Sequence, residues 1–144
     1  MDLLTARDIV SELDPSGAST ADWRALVEAV RHGLPIRALD ATAKSLGLTR
    51  EEAASALHLN PRTLYRRARS GARLSRGESE KVLRLARIGA HAMAVFEDQG
   101  KALRWLTREN RALGQVVPLS LLDSDVGAEA VNDELSRLEY GVLA

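Results

Sequence analysis

From Asp22 onward the apolar residues recur every three or four positions, the period of an amphipathic helix, and no long strand interrupts them. Trp23, Leu26, Val27 and Val30 mark one helix, which Gly33 ends with Pro35 just beyond. Pro35 sits near the first turn of the next, whose stripe is Ile36, Leu39, Ala43 and Leu46, closed by Gly47. Thr49-Arg-Glu-Glu52 is a capping-box pattern and opens a short helix through Leu57. Asn60-Pro61 opens another, since Asn caps well and Pro needs no helical partner for its nitrogen, and Gly71 ends it. A second box, Ser75-Arg-Gly-Glu78, starts the longest periodic run, from Val82 to Phe96. With little polar surface in its second half, this run reads as a central buried rod. Gly100 then reads as a break. "KALRWL" is a short helix, Asn110 to Pro118 a loop, and "PLSLLDS" a brief helical turn. A last helix begins at about Asp125, with Val131, Leu135, Leu138 and Val142 on one stripe; Leu135 and Leu138 are assigned to packing.

The expectation is an all-α fold, a helical bundle in three parts. Residues 1–20 form a weakly ordered arm or leader helix, 21–88 one helical unit, and 89–144 a smaller one leaning on it. Composition agrees: 45% of residues are hydrophobic, and the abundant Ala and Leu lead the helix-propensity ranking. The absence of cysteine removes disulfides and thiolate metal sites. No apolar run nears the roughly 20 residues that cross a bilayer. Acids also stand in "MDLLTARDIVSELDPSG" where a signal peptide would be basic. A cytoplasmic protein without a membrane partner is expected.

Charge changes the picture through its distribution. The formal net charge is zero, yet Arg62, Arg66, Arg67, Arg69, Arg73 and Arg76 fall within one short stretch without an acid. The chain from Asp123 onward holds Asp123, Asp125, Glu129, Asp133, Glu134 and Glu139 against Arg137 alone. Such asymmetry suggests two ends that meet different surfaces.

Arg50 to Arg69 has the pattern of a helix-turn-helix: small Ala53 and Ala54, a short connection, and Leu57, Leu59 and Leu64 to fill the space between helices. The second helix of such a motif presents its N-terminal residues to base edges in the major groove. The candidates here are Asn60, Arg62, Thr63, Tyr65, Arg66, Arg67 and Arg69. Arginine suits guanine O6 and N7, and the threonine methyl suits that of thymine. Arg73 and Arg76, beyond Gly71, are expected on phosphates. His58 stands where many such turns have glycine, so a different turn conformation is expected. The competing reading is an arginine-faced surface helix, but the run lacks the interleaved acids that would pair at i, i+4.

The segment "NPRTLYRRARSGARLSRGESEKVLRLARI", then "KALRWL", "N.ALG…PL.LL" and the closing "L.RLEYGV.A", resembles antitoxins of the Xre/ParS/MbcA family over about Thr49 to Ala144. The resemblance implies an Xre-like helix-turn-helix joined to a C-terminal toxin-binding domain. It also implies a type II toxin-antitoxin system whose RES-domain toxin, encoded by a neighbouring gene, depletes NAD⁺ by cleaving or transferring its ADP-ribose part. The antitoxin would cover the toxin's active site with its C-terminal region and repress its own operon as a dimer or larger assembly. Where the family often has Phe-Gly-Asp, this chain has Phe96-Glu97-Asp98, a substitution expected to alter the loop angle before Lys101.

Tail chemistry is consistent with that role. A site for a dinucleotide pyrophosphate should be electropositive and would attract an acidic helix ending in a carboxylate. Arg137, Glu139, Tyr140, Gly141, Val142, Leu143 and Ala144 are therefore the toxin-binding candidates, Tyr140 offering an apolar body with a polar tip. Trp105 and Leu106 are expected in the core.

No catalytic constellation emerges. His32, His58 and His91 lie on separate segments, no glycine-rich phosphate loop is present, and the adjacent acids Glu51-Glu52 and Asp133-Glu134 diverge on a helix. Neither enzyme activity, a cofactor nor a metal is expected. Binding to double-stranded operator DNA with two-fold symmetry would need a homodimer, for which the apolar second half of the long helix is the expected contact. The rival is a stand-alone regulator whose C-terminal domain only dimerises.

Overall fold

The computed structural model describes residues 20–141. The expected N-terminal arm and residues Val142, Leu143 and Ala144 lie outside the described residues. Among the described residues seven α-helices follow one another: α1 (Thr20–His32), α2 (Ile36–Ser45), α3 (Arg50–Ala56), α4 (Pro61–Ser70), α5 (Arg76–Phe96), α6 (Gln99–Thr107) and α7 (Asp125–Glu139). Two short 3₁₀ turns, Arg111–Leu113 and Pro118–Leu121, fill the gap before α7. Among the described residues there is no strand, only an isolated bridge between Asn110 and Val116. The all-α expectation holds.

Both capping boxes form. Thr49 accepts from the Glu52 amide while Glu52 accepts from the Thr49 amide, and Ser75 and Glu78 do the same for α5. Asn60 caps α4, its Oδ1 accepting from the amides of Arg62 at 3.0 Å and Thr63 at 3.4 Å. Each cap satisfies amides that have no partner within the helix.

Helix α5 is the axis, packed against α1, α2, α6 and α7. Val82, Leu85, Ala86, Ile88, Gly89 and Ala92 are buried along it. Gly89 admits Leu46, the residue that caps the end of α2, whose methyls would lie 2.9 Å from a Cβ placed there. Arg84 stitches α5 to the start of α7, donating to the Leu122 carbonyl at 3.0 Å and to Asp125 at 2.6 Å. The loop between α1 and α2 is fixed by the Leu34 amide donating to the buried Ser79 hydroxyl at 2.8 Å.

Three expectations are corrected. The break after α5 falls not at Gly100, which lies inside α6, but at Glu97, whose φ of +54° turns the chain before Asp98 caps α6. Glu97 takes the left-handed geometry a glycine would take, so the turn stays tight. The end of α5 is also not a fully buried rod: Met93, Val95 and Phe96 are half-buried and Ala94 is exposed. Leu138 does not pack either; it is 45% exposed, in a last turn of α7 where residues from Arg137 to Gly141 are all exposed and a polar contact from Glu139 to His91 makes the tie to α5. Leu106 is buried as expected, and Trp105 is half-buried with its ring 6.0 Å from that of Phe96.

Candidate functional site

Helices α3 and α4 meet through Ala53, Ala54, Leu57 and Leu64, all fully buried, with Leu59 nearly so. The small alanines allow the close approach that places Leu64 beneath α4. Truncating such a leucine to alanine costs about 2–5 kcal/mol. The turn is a Schellman motif: the Leu59 amide donates to Ala54 at 2.8 Å and the His58 amide to Ser55 at 3.1 Å. His58 occupies the left-handed position at φ +54°. It therefore adopts the glycine-type turn rather than a different one. Its imidazole Nε2 lies 3.4 Å from an Asp123 carboxylate oxygen, beside the start of α7. Arg50, at the start of α3, clamps Asp40 of α2 through two bonds of 2.5 and 2.7 Å, and the Asp40 partnership raises its pKa further above the ordinary arginine value.

With Leu64 anchoring one side, the exposed side of α4 follows from helical geometry. At about 100° per residue, Arg62, Tyr65, Arg66 and Arg69 fall within an arc of roughly 100° opposite Leu64. All four are exposed, Tyr65 at 59%. The Arg69 guanidinium stands 5.9 Å over the Tyr65 ring. Asn60, Pro61, Arg62, Thr63, Tyr65 and Arg66 line a shallow, open hollow at the helix's N-terminal end. Thr63 is half-buried at its edge.

The structure does not bring the other candidates to that face. Arg67 lies on the Leu64 side of the helix and forms an ion pair with Glu78 of α5. Arg73, in the turn after α4, donates to the Gly33 carbonyl at 3.0 Å. Arg76 begins α5, with Glu80 at 3.7 Å. Burial alone would push the Glu78 carboxyl up. The Ser75 amide, the Arg67 guanidinium and the Ser75 hydroxyl outweigh it and hold the group below the ordinary carboxylate value.

At the other end, α7 buries Ala128, Val131, Glu134 and Leu135 and turns its remaining acids, Asp125, Glu129, Asp133 and Glu139, outward. Arg137 donates to Glu134 at 3.0 Å. Glu139 meets His91 of α5 at 3.0 Å, while the other nitrogen of that ring meets Asn132 at 2.7 Å. Tyr140 is 77% exposed and Gly141 takes φ +60°. Val142, Leu143 and Ala144 belong to the same predicted surface but lie outside the described residues.

Sequence reasoning missed His91, Asn132 and the near-buried Glu134, because those contacts join α5 to α7 or lie within an apolar stripe. It missed Val126 as well, which is 79% exposed at the start of α7. Among the described residues no cluster of histidine and carboxylate side chains could hold a metal ion, and no helix is long and apolar enough to cross a membrane.

Comparison with known proteins matches both halves. Residues 25–87 match the family described as the antitoxin Xre-like helix-turn-helix domain. Residues 91–141 match the antitoxin Xre/MbcA/ParS C-terminal toxin-binding domain. The chain is 32% identical to an "Antitoxin Xre" of Yersinia enterocolitica, over 83% of this chain and 81% of that one. It is 28% identical to an "Antitoxin Xre" of Photorhabdus laumondii, over 80% and 78%. A "Prs ADP-ribosylating antitoxin" of a Sphingobium species is 31% identical over 62% of each chain.

Proposed function

The chain belongs to the Xre/MbcA/ParS antitoxin family, an antitoxin with a helix-turn-helix domain and a toxin-binding domain, and from that footing we propose that it neutralises a RES-domain toxin that depletes NAD⁺. It does so as the antitoxin half of a type II system, acting without enzymatic activity of its own. The end of α7 and the residues after it, Arg137 and Glu139 to Ala144, cover the toxin's active site. The same chain represses its own operon, two copies placing their α4 helices in successive major grooves about 34–36 Å apart.

One observation carries the toxin reading: the last turn of α7 is uncovered, with Leu138 and Tyr140 exposed beside a surface rich in carboxylates. Large apolar side chains left in water at the end of an acidic helix suit a concave, electropositive partner. A NAD⁺-handling site has that character, because it must hold a pyrophosphate. The Sphingobium relative's name, which refers to ADP-ribosylation, supports a toxin working on the ADP-ribose part. For DNA, support comes from the arc of Arg62, Tyr65, Arg66 and Arg69, aimed outward by the burial of Leu64.

The test is co-purification with the product of the neighbouring gene, followed by an assay of NAD⁺ consumption with and without this chain. Full-length protein should bind that product and stop consumption. Protein lacking residues 140–144 should bind DNA unchanged and leave the toxin active. Undiminished neutralisation by the shortened chain would end the plug reading. A neighbouring product that neither binds nor consumes NAD⁺ would favour a stand-alone regulator.

A further inference from the structure

The arginines around α4 divide into two sets. Arg62 and Arg66 project from the exposed arc, and Arg69 stacks there on Tyr65. Beside them lies a hollow between the start of α2 and the end of α4, lined in part by Asp40, Arg50, Arg67 and Arg73. In that hollow Arg50 is held by Asp40, Arg73 by the Gly33 carbonyl and Arg67 by Glu78.

Glu78 is unusually well placed to keep its arginine. Its Oε1 already accepts from the Ser75 amide at 2.7 Å as part of the α5 capping box, so the carboxylate is fixed before Arg67 arrives. The pair is also sheltered: the side chains are 29% and 19% exposed, less than the other arginine pairs at the ends of α1 and α5. Salt and water weaken such a pair less than a fully exposed one.

Resting on the DNA-binding reading above, we propose that Glu78 is a specificity-determining residue that withholds Arg67 from DNA phosphates. Affinity for arbitrary DNA comes almost entirely from phosphates neutralised by cations, each adding to the salt dependence of binding. A guanidinium only about 100° round the helix from Arg66 would join that count on every sequence. It would raise binding to random DNA and add nothing that distinguishes an operator. By holding Arg67, Glu78 keeps the sequence-independent background low while Arg62, Arg66 and Arg69 meet the duplex.

The experiment measures binding of the full chain to a random-sequence duplex, and to the duplex upstream of its own gene, by fluorescence anisotropy across a salt series. In Glu78→Gln the amide oxygen still accepts from the Ser75 amide, so the cap remains while the charge is lost. Its random-DNA affinity should rise and fall more steeply with salt, by an extra factor of about 3.5 between roughly 50 and 200 mM, the signature of one added phosphate contact. Its preference for the upstream duplex should drop severalfold. Arg67→Ala alone should leave the random-DNA salt slope at the wild-type value, and the double variant should return to that slope.

A Glu78→Gln slope equal to wild type overturns the proposal. So does a gain that persists in the double variant, which would assign it to a lost negative charge alone. A flattened slope in Arg67→Ala overturns it as well, even if Glu78→Gln fails to fold, because Arg67 would then already sit on a phosphate. Wild-type protein that holds no duplex at low salt overturns this proposal and the DNA-binding reading together.

Discussion

Replacing Glu97 with glycine should make the protein more stable. Glu97 sits at φ +54° and ψ 22°, its amide donating to the Met93 carbonyl at 2.8 Å, and ends α5. For a residue with a Cβ, that left-handed conformation costs about 1–2 kcal/mol. Glycine removes the cost but gains freedom in the unfolded chain, which returns about 0.4–1 kcal/mol. The exposed side chain makes no hydrogen bond or ion pair among the described residues, so nothing else is lost. Its charge disfavours the C-terminal end of α5 and favours the adjacent N-terminal end of α6, and the two effects oppose each other. The net gain is about 0.5–1 kcal/mol, or roughly 2–4 °C in the midpoint of a thermal melt followed by circular dichroism. Glu97→Ala is the control: it removes the carboxylate but keeps a Cβ, and should gain nothing. A Glu97→Gly midpoint at or below wild type, or an equal gain from alanine, would refute the argument from backbone conformation.

Gly127→Ala should destabilise by about 2–3 kcal/mol or more, because its Cβ would lie 2.1 Å from the Leu121 carbonyl oxygen, whereas Gly77→Ala, with open space around it, should be harmless; paired thermal melts decide. Arg66→Ala should weaken binding to the upstream duplex by about 1–3 kcal/mol and random DNA much less; equal losses in a titration would make Arg66 a phosphate contact. Because Glu78 is held below its ordinary value of about 4.5, its contribution is full above that pH and fades as pH falls through the lower, folded value. Wild type should therefore exceed Glu78→Gln in urea-unfolding stability at neutral pH, and the gap should narrow below about pH 4.5. A gap independent of pH would show that the carboxylate's charge is not the source.

What the sequence made legible was local. The two capping boxes, the Asn60-Pro61 start and the closing role of Gly71 depend on residues within one turn of each other, so their chemistry is written contiguously. What it hid was set by packing. A glycine signals a break, so Gly100 drew the boundary, while the turn belongs to Glu97, forced left-handed as α6 folds back on α5. Arg67 looked like its neighbours because a charge run has no direction. Its angular position, about 60° from Leu64, was the available sign that it faces inward, but the partner lay across a turn in another helix. Leu138 continued an apolar stripe correctly, and yet the stripe outlasts the surface it packs on. The histidine contacts to Asp123 and to Glu139 join distant segments and left no trace in spacing.

Helix α5 runs unbroken through residues 88–90, the interval between the two family matches, so no hinge separates the helix-turn-helix half from the toxin-binding half. Their relation is a matter of phase. One residue inserted into that interval would carry everything beyond it forward by about 1.5 Å and around by about 100°, setting the Leu46 notch at Gly89 and the Arg84 stitch at odds with each other. Chimeras that exchange toxin specificity between relatives should therefore succeed only when the junction keeps its residue count. On a two-fold operator the same shaft would fix the angular station of each captured toxin around the DNA, as a cam fixes the timing of a valve.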